Sequence, residues 1–145
     1  MIGLIQRVTS ASVSVEQEVI GDIEKGILVF LGIQKTDSAQ DAYRLLKKIL
    51  NYRIFPDVDR KMNLSLVDIK GELLIISQFT LAAETAKGLR PSFSSAAPPD
   101  HAKELYNYFL SLAKLEDNVT QSGLFGADMK VTLTNDGPVT FLLTT

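Results

Sequence analysis

Cysteine and tryptophan are absent from this chain of 145 residues, and histidine occurs once, as His101. Without cysteine there is no disulfide, no thiolate nucleophile and no thiolate metal ligand. A single histidine leaves no dense ligand set for a transition metal, so neither a metal nor any other cofactor is expected. A Ser-His-Asp triad would have to use His101. That residue falls in the first turn of an expected helix, where the dipole disfavours an imidazolium, and it reads as an ordinary residue near a helix start. No Walker loop, GxGxxG or paired-carboxylate pattern is present. Charge of one sign is also scarce. The net charge of −2 argues against a broad grip on duplex nucleic acid and leaves recognition of a short single-stranded end open. No apolar run approaches the ~18 residues of a membrane span. Residues 1–7 lack the charged and apolar regions of a secretory leader. A soluble cytoplasmic protein without membrane contact is expected.

What is present suits one core. Hydrophobic residues make up 46% and charged residues 22% of the chain, so residues 1–145 are read as a single domain. Residues 2–9 and 11–15 are short β-prone runs, the second alternating as a half-buried strand does. Residues 27–33 and 71–79 are short and almost continuously apolar, the pattern of strands buried on both faces. Ser38 followed by Asp41 resembles a capping box. Ala42, Leu45, Leu46 and Ile49 then recur at helical spacing. Pro98-Pro99-Asp100 opens a second helix, with Ala102, Leu105, Phe109, Leu112 and Ala113 on its apolar stripe. Residues 82–98 show no period and read as a long irregular loop, functional or mobile. The expected fold class is α+β: curled, barrel-like β-sheets with two main helices packed on one side.

The chemistry left over is that of hydroxyls, amides and backbone. Ser77-Gln78-Phe79-Thr80 follows directly on a buried strand, where site residues are often found. Backbone N–H groups there could hold an oxyanion, and Phe79 offers a flat face to a base. The same residues also fit a plain strand end with Phe79 in the core. Asn135-Asp136-Gly137-Pro138 lies between the strand-like runs 129–134 and 139–144. Pro fixes φ and lacks an N–H, and an X-Pro bond in a tight turn is where a cis peptide is most plausible. The stretch is either an ordinary tight turn or a rigid corner able to read a ligand's main chain. Arg7 interrupts a β-prone run, so it faces solvent or reaches a polar site. Lys61, Arg60, Lys87 and Arg90 are basic residues placed in loops.

Six segments, taken together, resemble the D-aminoacyl-tRNA deacylase family. They are Gln6-Arg7-Val8, Lys61-Met62-Asn63-Leu64-Ser65, Ser77-Gln78-Phe79-Thr80-Leu81, Lys87-Gly88 with Arg90-Pro91-Ser92-Phe93, Phe125-Gly126-Ala127-Asp128-Met129 and Asn135-Asp136-Gly137-Pro138-Val139-Thr140. They span nearly the whole chain in the family's order. Ser-Gln-x-Thr with Asn-x-Gly-Pro-x-Thr is the specific pair. The resemblance implies hydrolysis of the ester in tRNA acceptor ends carrying a D-amino acid, or glycine mischarged on tRNA-Ala, with L-aminoacyl-tRNA rejected. It implies a homodimer with its active site at the interface, the Gly137-Pro138 peptide being cis and entering the partner's pocket. Ser77, Gln78 and Thr80 would form the catalytic wall, Thr80 positioning first and catalysing second. Phe79 would lie near the terminal adenosine. Asn135, Gly137, Pro138 and Met129 would bind substrate, and Arg7 would brace the corner. Ala82 and Leu89 depart from many relatives, which carry a Tyr and a polar or basic residue there. On the residues alone, a non-catalytic dimeric module for nucleotides or RNA ends, and a purely structural oligomer, remain as other readings.

Overall fold

Two parallel strand pairs set the architecture, because a parallel pair needs a long crossover between its members. In the computed structural model, which describes residues 1–145, β3 (Gly26–Gly32) pairs in parallel with β6 (Glu72–Ser77), and β6 with β7 (Thr120–Ser122). The first crossover carries α1 (Ala39–Asn51), the hairpin β4 (Phe55–Pro56) with β5 (Met62–Leu64), and the short α2 (Leu66–Ile69). The second carries one turn of 3₁₀ helix (Phe79–Ala82) and α3 (Pro99–Ala113). The two long helices pack on one face of the sheet, where Leu45, Leu46 and Ile49 of α1 share a core with Leu105 and Phe109 of α3.

The N-terminal strand β1 (Ile2–Val15) holds the rest together. One of its edges pairs with β8 (Met129–Thr144) from Ile2↔Thr144 to Val15↔Met129. The other pairs with β3 and, farther along, with β2 (Glu18–Ile23). The sheet curls until β2 approaches β7: a Cβ added at Gly21 would stand 3.3 Å from the Ser122 carbonyl oxygen. This curl encloses a second core of Val8, Ala11, Val13, Ile23, Leu28, Leu74 and Ile76. Ile27, Val29, Leu31, Leu73 and Ile75 face the helices instead. Both faces of β3 and β6 are therefore buried, as their continuous apolar runs indicate.

The start of α1 follows its sequence signal. Asp41 Oδ2 accepts from the Ser38 amide at 2.9 Å and from its hydroxyl at 2.6 Å. Those bonds hold the Asp41 carboxyl below the usual carboxylate range, the hydroxyl contributing most. Four local readings change. The runs 2–9 and 11–15 are one strand. The strand expected over 71–79 stops at Ser77, and Phe79 begins the 3₁₀ turn. The polar loop expected at 59–63 contributes Met62 and Asn63 to β5. Residues 129–144 form a single strand, so the Gly137-Pro138 corner is a bulge within β8. Its pairing with β1 shifts register between Gln6 and Val8 and again between Val8 and Ser10. Local turn chemistry indicated a reversal of the chain; long-range pairing with β1 carries the strand straight through, with the extra residues looped out.

Candidate active site

Ser77 ends β6, and the chain leaves the sheet there because Gln78 adopts φ −142° and ψ 77° before the 3₁₀ turn. The Gln78 amide still donates to the Leu31 carbonyl at 2.8 Å, so the exit is anchored to β3. This exit forms one wall of a cleft of about 700 Å³. Ile76, Ser77, Gln78 and Phe79 line that wall. Phe93, Ala96, Ala97 and the N-terminal turn of α3 form the second, and Phe125, Gly126, Ala127, Met129 and Val131 the third. The lining is mostly apolar, with few polar groups, which suits a flat organic ligand. Phe79 is 62% exposed and its ring meets that of Phe93 at 5.1 Å between centroids. It is thus a wall of the cleft and not a core residue.

Thr80 lies around the edge of this wall. Its hydroxyl accepts a hydrogen bond from the Gln78 side-chain amide. With Gln78, Leu4, Phe30 and Leu81 it lines a smaller depression on the outer face of the sheet. No histidine or carboxylate lines either cavity. His101 points its Nε2 at the Asp37 carbonyl oxygen, 3.0 Å away, a structural contact.

The second set of sequence-derived residues gathers at the β8 bulge. The Gly137-Pro138 peptide is cis, and both residues are exposed. Arg7, only 12% exposed, is the strut beneath them. Its Nε donates to the Asp136 carbonyl oxygen at 2.9 Å and stands 2.9 Å from Asp136 Oδ2, while Nη1 donates to the Ile54 carbonyl. Asn135 clamps the bulge from the other side. Its Nδ2 donates to the carbonyls of Arg7 at 3.0 Å and Val139 at 3.1 Å. Asn135 Oδ1 fills the space where a Cβ on Gly137 would stand. The corner is a braced piece of backbone with almost no side chain at its tip.

Within one chain these two groups do not meet. Met129 borders the cleft, whereas Gly137 and Pro138 line neither cavity. Eight residues of β8 separate Met129 from Pro138, nine steps that span roughly 25–30 Å at about 3.3 Å each. Both groups nevertheless open onto the same outer sheet face. Pro138, Thr140 and Leu142 are exposed and alternate with inward residues Val139, Phe141 and Leu143. Leu142 sits opposite Leu4, and Leu4 opposite Phe30. Leu4 and Phe30 in turn border Thr80.

One residue that holds the cleft together carries no sequence motif. Tyr106 of α3 is buried, and its hydroxyl lies 3.0 Å from the Ile75 carbonyl and 3.2 Å from the Gly123 carbonyl, bridging the strands behind two of the cleft walls. The only hint in the sequence is a tyrosine directly after Leu105 on the apolar face. Burial pushes the Tyr106 hydroxyl up to about 12 from the ordinary 10.0. The unfolded chain therefore loses this proton first as pH rises. The stabilisation is complete below pH 10 and disappears toward pH 12, about 1.4 kcal/mol per unit and so roughly 3 kcal/mol in all. Chemical denaturation from pH 9 to 12 should show this loss, and Tyr106→Phe should remove that part of the pH dependence. An unchanged profile in the variant would refute the assignment.

The sequence model of the family described as D-Tyr-tRNA(Tyr) deacylase matches residues 4–144. The D-aminoacyl-tRNA deacylase of Pseudoalteromonas translucida is 61% identical over 143 residues, covering 99% of each chain. That of Cellvibrio japonicus is 55% identical over 143 residues, covering 99% of this chain and 98% of the other. Among solved structures, the c-Myc DNA Unwinding Element Binding Protein superposes with a TM-score of 0.95 at 40% identity, covering 100% of this chain and 99% of that one. A probable eukaryotic D-amino acid tRNA deacylase shares the fold, with a TM-score of 0.86 at 16% identity over 99% of this chain and 98% of the other.

Proposed function

The chain belongs to the D-Tyr-tRNA(Tyr) deacylase family and is a D-aminoacyl-tRNA deacylase; from that premise we propose how it tells D from L. The observation that carries the proposal is the separation of the braced corner from the cleft on one shared sheet face. A two-fold axis through the face bearing Leu4, Phe30 and Leu142 would cover exposed apolar surface. It would also bring the corner of one chain to the Thr80 edge of the other. Such an isologous pairing uses the same patch twice and completes two sites at once.

In this arrangement the cleft takes the terminal adenosine, Phe79 and Phe93 contributing aromatic surface for its base. The partner's Gly137-Pro138 corner faces the amino acid. Selection then works at Cα, where enantiomers exchange the positions of hydrogen and side chain. Once the corner's carbonyls hold the α-amino group, an L side chain is driven into rigid backbone, while a D side chain points to open space. Rejection by overlap needs no side-chain pocket, so D-residues of many kinds are accepted. Glycine has nothing to overlap, and glycyl-tRNA, including that mischarged on tRNA-Ala, is accepted too.

Hydrolysis requires a water attacking the ester carbonyl, a donor for the resulting oxyanion, and departure of the ribose oxygen with a proton. The first N–H groups of a helical turn have no partner within it. Those of Phe79 and Thr80 are the proposed donors. The Thr80 hydroxyl has the Gln78 amide as its neighbour, and an amide is no general base. Thr80 therefore positions the substrate, and the tRNA's own 2′-OH assists the water. The deciding experiment follows release of amino acid from D-tyrosyl-tRNA and L-tyrosyl-tRNA with wild-type and Thr80→Ala proteins. Rapid loss of the D form alone, with Thr80→Ala within about tenfold of wild type, is expected. Equal loss of both forms would remove the chiral filter, and an inert Thr80→Ala that still binds tRNA would make Thr80 the nucleophile.

A further inference from the structure

Beside the cleft stands an arm that neither the filter nor the hydrolytic wall uses. Glu84 and Ser92 exchange backbone hydrogen bonds of 2.7 and 3.1 Å, closing off residues 85–91 as a projecting loop. Its base is fixed. The Ser95 hydroxyl donates to the Ala82 carbonyl, Lys35 N–H donates to Ser95 O at 3.1 Å, and Ala97 N–H donates to Ile33 O at 3.0 Å. Its tip is bare. Every residue from 84 to 94 is exposed, and Leu89 is fully so, with a relative exposure of 106%. Gly88 turns the chain at φ +71° with open space around it, a conformation that suits glycine.

Charge gives the arm its direction. Glu84 sits at the arm's base, and from residue 85 to 99 the only charged side chains are Lys87 and Arg90, in a protein whose net charge is −2. Neither belongs to an ion pair of the structure. Two unneutralised cations thus flank an apolar tip on a stalk whose root, Phe93, meets Phe79 in a tilted ring contact at the cleft. The end of a nucleic-acid helix offers the complementary pattern: stacked base faces between two phosphate strands.

Resting on the substrate class proposed above, we infer that the arm 84–92 grips the helical stem leading to the tRNA acceptor end. Lys87 and Arg90 bind backbone phosphates, and Leu89 packs against the terminal base pair. The cleft holds the reacting nucleotide, and the arm supplies sequence-independent affinity for the duplex behind it. A short single-stranded substrate bypasses the arm.

The test is direct binding of uncharged tRNA and of a CCA trinucleotide to the intact protein, with amino acid release from D-tyrosyl-tRNA measured separately. The Lys87→Ala/Arg90→Ala double variant should bind tRNA about tenfold more weakly or worse. The slope of log affinity against log salt should become shallower by about 1 to 2, because up to two phosphate contacts are lost. Leu89→Ser should weaken tRNA binding and leave that slope unchanged. Trinucleotide binding should be the same for all three proteins. An unaltered slope in the double variant, or equal losses on tRNA and trinucleotide, would overturn the arm's role. Failure of the deacylase reading would appear separately, as no D-tyrosine release by wild type.

Discussion

Replacing Gly137 with alanine is expected to cut D-aminoacyl-tRNA hydrolysis by a factor of 100 or more, on the order of a misplacement of ~1 Å at a reacting centre, while the protein stays folded. The new Cβ would overlap Asn135 Oδ1 and stand 3.1 Å from its Cγ. A flexible neighbour could step aside. Asn135 is tied by its Nδ2 to the Arg7 and Val139 carbonyls, and moving it breaks both bonds at about 1 kcal/mol each. Shifting the backbone instead pulls against Arg7, which holds Asp136 by carbonyl and carboxylate. Either outcome moves the tip against which Cα is read. Because the corner is exposed and lies outside the main core, the melting temperature should fall by only a few degrees. Single-turnover rates on D- and L-tyrosyl-tRNA decide the matter, and a wild-type D rate in Gly137→Ala would exclude the corner from selection.

The largest effect on stability is expected from Gly26→Ala. Gly26 opens β3 opposite Glu72, the first residue of β6. A Cβ there would overlap the Glu72 carbonyl oxygen and stand 2.7 Å from its carbonyl carbon and 2.8 Å from its nitrogen. These are backbone atoms of a buried parallel pair, with no rotamer to change. The substitution should cost about 3 kcal/mol or more, a fall of roughly 10 °C in Tm for a chain of this length. Because β6 carries Ser77 into the cleft wall, activity should fall along with stability. A melting curve identical to wild type would show that the two strands can separate without penalty.

Where physics is local, the sequence could be read closely. Ser38 with Asp41, Pro98-Pro99, and the apolar runs that became β3 and β6 each announce themselves within a few residues, because capping and two-sided burial are written in nearby side chains. The bulge in β8 is the converse case. Asn-Asp-Gly-Pro carries every local mark of a reversal, and only the partner strand β1, more than 120 residues earlier in the chain, keeps it extended. Strand β7, Thr120-Gln121-Ser122, has no apolar signal at all and exists because β6 offers it an edge. The site divides the same way. Ser77, Gln78, Phe79 and Met129 could be picked out and do border the cleft. The sequence alone gives Phe93, Phe125 and Tyr106 no site role, since aromatic residues in a loop, a turn and a helix look alike before the chain folds them together.

That β8 passes through the corner without interruption has a further bearing on how damage spreads. Once two chains pair as proposed, each β8 serves two masters: at Met129 it borders its own chain's cleft, and at Pro138 it faces the neighbour's. A dimer of one sound and one corner-damaged chain would then be crippled crosswise. The damaged subunit would keep a working site, completed by its healthy neighbour, and the healthy subunit would lose its own.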